Sequence, residues 1–201
     1  MWDLLVIHSQ DLSFWDKIKE ASNWICFGAG RFQPIGYVIP FLLFNIFGFS
    51  FFKYHLFSII LHLLSGYFVS KITIQLSKSN ELGLLAFVFF IFSFLTSDVI
   101  FWSFFTYIQF HLILILFCIF LFMKYIENEK IYLLIISSIL AFLSTLIYEA
   151  GFAILILLGF FSLYIHKNKY TKSNIFVSTL PFLLSFSFLG LAYYSMGLDY
   201  K

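Results

Sequence analysis

Charge is what this sequence has least of. Asp, Glu, Lys and Arg make up 11% of its 201 residues, against about 25% in a soluble domain. That deficit excludes an ordinary water-soluble globule, whose surface needs solvated charge. Cysteine is almost absent: Cys26 lies in a polar stretch and Cys118 in an apolar run, so no disulfide framework is indicated. Cys118 reads as a packing residue. Arginine occurs once, at Arg31. The net charge of +2 gives no argument for nucleic-acid binding. The sequence has no Asn-x-Ser/Thr acceptor triplet, no signal-peptide pattern and no internal repeat.

What is there is apolar mass: 62% hydrophobic residues with 31 Phe among them, and a mean hydropathy of +0.97. A helix needs roughly 20 apolar residues to cross the hydrocarbon core. Six runs read as crossings, at 54–76, 82–97, 106–126, 131–148, 151–166 and 174–196, the second and fifth being short. The expected fold is therefore all-α, a polytopic integral membrane helical bundle of about six transmembrane helices. Residues 35–52 are apolar but broken by Pro40, Asn45 and Gly48. That suits a helix lying in the membrane interface better than a seventh crossing. Two regions follow: an extracytoplasmic loop with its interfacial helix over 1–53, and a transmembrane bundle over 54–201.

Short loops set orientation through their lysines. With 1–53 outside, the inner loops hold Lys71, Lys78, Lys124, Lys130, Lys167, Lys169 and Lys172. Asp3, Asp11, Asp16, Glu20, Asp98, Glu149 and Asp199 then fall outside with Arg31, leaving Glu81, Glu127 and Glu129 inside. The acids gather on the face opposite most of the lysines, so the chemistry is expected there. The location expected is the bacterial inner (plasma) membrane with the N-terminal segment extracytoplasmic. A hydrophobic span upstream of Met1 would carry that segment across, so the chain is expected to lack its first helix and to be truncated also after Lys201. The alternative is that the first visible span inverts and draws the short segment across.

Polar residues within apolar runs are the candidates for function. In Lys53–Gly66, "KYHLFSIILHLLSG", His55 and His62 are seven positions apart, about 700° of helical rotation, and so share one face about 10 Å apart along the axis. Ser58, Ser65 and Gly66 lie near that stripe, and Tyr54 precedes it. Gly30-Arg31-Phe32-Gln33-Pro34 stands before the interfacial helix, where Pro34 pre-sets a turn. Asp3, with Asp11 as a weaker neighbour, lies in the N-terminal segment. Asp98 and Glu149 close the second and fourth crossings at the same face, and Trp102 follows Asp98 by four residues. Plainer roles stand beside each: the histidines as glue between helices, Arg31 as an anchor on lipid phosphates, Asp98 as a helix cap, Glu149 as a structural partner.

The order of these motifs resembles the GT-C superfamily of membrane glycosyltransferases, particularly the tetratricopeptide-bearing protein O-mannosyltransferases and their bacterial relatives. Their first outer loop reads roughly R-[YF]-x-P, followed by G-[YF]-H-x-x-N-x-x-x-H. Here Arg31-Phe32-Gln33-Pro34, Tyr54-His55 and His62 match, with Ser58 where Asn is usual. Residues 92–112 are similar to the end of the family's third span, although Thr96-Ser97 replace His-Pro, and 142–155 to its Ser-Lys-Glu helix junction, with Tyr148 in place of Lys. The resemblance covers about residues 3–165 and identifies an N-terminally truncated or partial member.

What the resemblance implies is transfer of a sugar from a polyprenyl-phosphate donor to an acceptor at the extracytoplasmic face, with membrane lipid as the other partner. It implies Asp3 and Asp98 as catalytic acids, Asp3 lacking the predecessor that family members carry. It also implies Arg31, Tyr54, His55, His62, Trp102 and Glu149 as substrate-binding residues. Some members use a divalent metal and others none, so the cofactor stays open. The competing reading is a flippase, transporter or polysaccharide-polymerase-like protein; the absent repeat and the charges gathered at one face count against it.

Overall fold

The computed structural model describes residues 11–23, 33–36, 38–93 and 106–166, with six further positions between 182 and 194. Among the described residues the chain is all-α, with no strand. The helices bounded within the described residues are α1 (Phe14–Asn23), α2 (Val38–Phe47), α3 (Phe51–Ser77), α4 (Asn80–Ile91), α5 (Thr106–Asn128), α6 (Ile131–Ile147) and α7 (Gly151–His166). Four of the six expected crossings coincide with α3, α5, α6 and α7, whereas the helix in the second, expected over 82–97, ends at Ile91. Residues 94–97, and most of 174–196, lie outside the described part.

Local chemistry explains the boundaries. Ser13 opens α1: the Asp16 N–H donates to its Oγ at 3.2 Å, and its hydroxyl in turn donates to the Asp16 carboxylate, so Ser13 serves as the N-cap. Hydropathy gives no sign of α1, because its apolar residues occupy a single stripe beside Asp16, Lys17, Lys19 and Glu20. In α2, Pro40 falls in the first turn, where a missing N–H costs nothing, and Asn45 donates its amide to the Phe41 carbonyl at 2.8 Å. Gly48 ends that helix in the left-handed region (φ +57°), where a Cβ would be strained. Lys78 terminates α3 in the same conformation (φ 58°), and Ser79 caps α4 by accepting from the Leu82 N–H at 3.3 Å.

The helices are turned in an unusual sense. On α3 the buried residues are Ser58, Leu61, His62, Ser65 and Gly66, while Leu56, Ile59, Ile60, Leu63, Leu64 and Tyr67 face outward. On α6, Ser137, Ala141 and Thr145 recur every four residues along a fully buried stripe, while Ile135, Ile136, Ile139 and Leu143 are exposed. Small and polar side chains point in; large apolar ones point out. The closest antiparallel pairs are α5 with α6 and α3 with α4, and α5 also lies against α3. An apolar cluster of Cys118, Leu121, Phe122, Leu134, Ala141, Leu155 and Leu158 fills the space between α5, α6 and α7.

Among the described residues two helices, α3 with 27 residues and α5 with 23, are long and apolar enough to cross a membrane. The helices α4, α6 and α7 have 12, 17 and 16 residues. At about 1.5 Å per residue these reach roughly 18–26 Å, short of a typical ~30 Å core. The all-α expectation is met, and of the six expected crossings two, among the described residues, have the length and hydropathy to span a membrane.

The α3–α4 hairpin depends on Gly83. A Cβ there would run into the Ile74 side chain and stand 3.2 Å from the Ser70 carbonyl oxygen. Gly83→Val should therefore force the two helices apart and destabilise the bundle by about 1–3 kcal/mol, the usual penalty of overpacking. Thermal unfolding in detergent measures it, and an unchanged transition would mean the contact is not tight.

Candidate functional site

Chain direction gives the bundle two different ends. At one end the loops carry solvated charge: Lys78 donates to Glu127 at 2.9 Å and Lys124 does so at 3.2 Å, all three side chains substantially exposed. At the other end, where α3, α5 and α7 begin and α6 finishes, polar groups are buried. That end is the candidate site.

On α3, Tyr54 packs edge-on against Phe47 with ring centroids 5.3 Å apart. His55 beside it is half-buried. One turn further, the fully buried Ser58 donates its hydroxyl to Gln109 Oε1 of α5 at 3.0 Å. His62 is turned to a different neighbour. Its Nε2 lies 3.3 Å from the Ile91 carbonyl oxygen, and its ring stacks on Phe90 at 5.0 Å. A carbonyl only accepts, so Nε2 carries the proton. Gly66 admits this contact, since a Cβ there would come within 2.9 Å of Ile91 and 3.1 Å of Phe87.

Between α5 and α6 a second cluster forms. His111, 5% exposed, donates from Nδ1 to the Ser144 carbonyl at 2.9 Å, which leaves Nε2 of the neutral ring as an acceptor. Tyr148 lies edge-on to His111 at 5.4 Å and to Tyr107 at 6.2 Å. Glu149 follows in the turn into α7, half-buried, and its carbonyl accepts from the Phe152 N–H at 3.0 Å. The turn is tight because Gly151 presses on Thr145, where a Cβ would meet backbone at 2.8 Å.

The third component comes from far away in the chain. Residues 33–36 form a turn, closed by the Gly36 N–H donating to the Gln33 carbonyl at 3.0 Å, and dock on the last turn of α6 through Ile35 N–H to Leu146 O at 3.0 Å. Gly36 allows the approach: a Cβ would stand 2.6 Å from the Ile147 carbonyl oxygen. Gln33 is fully buried beneath this turn.

Of the positions expected from sequence, Tyr54, His55, His62 and Glu149 belong to this end of the bundle, with His62 about two turns deeper than Tyr54. Asp3, Arg31, Asp98 and Trp102 lie outside the described residues. Sequence reasoning missed Gln109 and His111 as candidates, although both are polar residues within the apolar 106–126 run and met the criterion that singled out His55 and His62. Among the described residues no three His, Cys, Asp or Glu side chains gather where a metal could be held. No protein-family model matches this chain, and no curated protein or solved structure is significantly similar to it.

The Ser58–Gln109 bond gives a sharp test of this end. Ser58→Ala leaves Gln109 Oε1 buried and unpaired, which should cost about 1–3 kcal/mol, whereas replacing both partners by apolar groups approaches neutrality. Thermal unfolding of Ser58→Ala, Gln109→Leu and the double variant should thus show the double variant more stable than Ser58→Ala alone. His62→Ala should lose about 0.6–1.7 kcal/mol, the range of hydrogen bonds between membrane helices, by the same measurement.

Proposed function

We propose that the chain is a polytopic membrane glycosyltransferase of the GT-C type, or a portion of one, moving a sugar from a polyprenyl-phosphate donor to an acceptor at the extracytoplasmic face. The membrane part rests on the inverted faces of α3 and α6. Only 28% of the most apolar window of α3 and 39% of that of α5 is buried, whereas the core helix of a soluble protein is mostly covered. In water such surfaces would form apolar patches far beyond what monomers tolerate. In lipid they face a matching solvent, and small and polar side chains hold the helices together. On this reading α4, α6 and α7 join α3 and α5 as crossings, residues 174–196 supply a sixth, and local thinning of the bilayer accommodates the shorter helices.

One observation carries the transferase part. The Gln33–Gly36 turn, immediately after Arg31 and Phe32, docks on the last turn of α6 beside Tyr148 and Glu149. These are two of the segments on which the resemblance rests, and they are remote in sequence. Their meeting at the end that buries polar residues supports a common site. Departure of a polyprenyl phosphate develops negative charge on phosphate oxygens, and the planar fork of Arg31 suits that group better than an ammonium. Asp3 would take the proton of the acceptor, and Asp98 and Trp102 would complete the outer face. Tyr54, His55 and Glu149 lie at the same end of the bundle and would contact the substrate in this scheme. His62 holds α3 to α4, so its part is packing.

Orientation is tested by labelling intact cells with an impermeant maleimide, in chains lacking Cys26 and Cys118. Lys17→Cys should react and Lys130→Cys should not; the opposite pattern would overturn both the orientation and the site.

Donor binding tests Arg31. Arg31→Ala should weaken the polyprenyl-phosphate sugar roughly ten- to hundredfold, the equivalent of about 1.5–3 kcal/mol for a charge-assisted bond, with membrane insertion unchanged. Arg31→Lys should recover part of the loss. Undiminished binding in the inserted alanine variant would reduce Arg31 to a surface anchor.

A further inference from the structure

Gln33 is fully buried, and neither its Oε1 nor its Nε2 meets a hydrogen-bond partner. Buried polar atoms are almost always paired, whether by protein, water or ligand. A residue of similar volume without polar atoms, such as Met, would fill the same space with no unmet demand. The backbone that follows the side chain is held in place against α6. The Gly36 N–H bonds the Gln33 carbonyl, Ile35 bonds Leu146, and Gly36 lies against Ile147 with no room for a Cβ. Gln75 also has both amide atoms unpaired, but it is only half-buried and lies on the last turns of α3 at the charged end. Gln109 has its Oε1 engaged by Ser58. Gln33 alone among the described residues combines complete burial with a wholly unpaired side chain, and it does so at the end where the polar groups gather.

We infer that the Gln33 carboxamide recognises a neutral, hydroxyl-bearing group, namely the sugar of the lipid-linked donor; this rests on the transferase reading above. An uncharged amide offers one acceptor and two donors side by side, which suits adjacent sugar hydroxyls and gives no charge-based preference for phosphate. The division of labour is then written within one short motif: Arg31 takes the phosphate, and Gln33, two positions on, takes the sugar. The unmet demand of the ligand-free chain is the cost of a binding group held ready, as is common where function trades against stability.

The test compares wild-type chain with Gln33→Met and Gln75→Met in detergent. Three measurements are made: binding of a short-chain polyprenyl phosphate; binding of the same lipid carrying mannose, glucose or N-acetylglucosamine; and thermal unfolding without ligand. Wild type should bind at least one glycosylated lipid more tightly than the bare phosphate. Gln33→Met should lose that sugar-dependent gain, roughly tenfold for two neutral hydrogen bonds, while binding the bare lipid as before. It should unfold at the same or a higher temperature, and Gln75→Met should leave the sugar preference intact. Full sugar preference in Gln33→Met would overturn the inference, as would a Gln33→Met chain that fails to fold or unfolds earlier with its sugar preference unchanged, since the amide would then be satisfied structurally. Wild type binding bare and glycosylated lipid alike would overturn the Gln33 assignment and spare phosphate recognition. Wild type binding neither would overturn the transferase reading, and this inference with it.

Discussion

The structure depends on one constraint: helices whose large apolar side chains face outward can be held together only by what is left on their inner faces. On α3 that remainder is Ser58, Leu61, His62, Ser65 and Gly66, and on α6 it includes Ser137, Ser138, Ala141, Ser144 and Thr145. Small side chains let the backbones approach, and hydroxyls and rings bridge them. α5 occupies the centre of this arrangement. It meets α3 through Ser58 and Gln109, and α6 through His111 with the Ser144 carbonyl and Ser137 with the Cys118 carbonyl. Such bonds contribute about 0.5–1.5 kcal/mol each, and they set the rotation of each helix while close packing holds the helices together.

The same constraint makes the two ends unlike. Where Lys78, Lys124 and Glu127 meet, the pairs are exposed, and exposed pairs contribute about 0–1 kcal/mol. They keep the loops in water without holding the fold. At the opposite end the chain buries Gln33, Ser58, Thr106, Gln109, His111 and Ser144 and brings a distant turn down onto α6. A bundle needing only to persist would have little reason to place polar groups there. Buried hydroxyls occur deeper in the bundle too, at Ser65, Ser137 and Ser138, but among the described residues only this end combines them with buried amide and imidazole side chains from α3, α5 and the docked turn.

Much of the fold was legible in the sequence. The runs 54–76, 106–126, 131–148 and 151–166 fall within a few residues of α3, α5, α6 and α7, and the breaks at Gly48 and Lys78 lie where the backbone turns left-handed. The helix α1 was not anticipated because hydropathy looks for mass and α1 offers only a stripe; Ser13 and Asp16, a capping pair, were the available signal. The candidate site was less legible. Tyr54, His55, His62 and Glu149 were chosen, while Gln109 and His111 were passed over because each has apolar neighbours on both sides and no motif around it. Asp3, Arg31, Asp98 and Trp102 lie outside the described residues, so for them the sequence argument stands alone.

By itself, the sequence determined where most of the described apolar helices begin and end, because hydropathy, capping and left-handed turns act within a few residues of the chain. It also determined that His55 and His62 share a face, since that follows from helical period. Only the tertiary structure decided what each shared face touches. Ser58 looks to α5 and His62, one turn deeper, to α4; Gln33 lies buried under its turn, and the motif that contains it rests on α6. Those choices depend on the rotation of each helix about its axis and its height against its neighbours, which are settled by close approaches at Gly36, Gly66, Gly83 and Gly151 between segments distant in the chain.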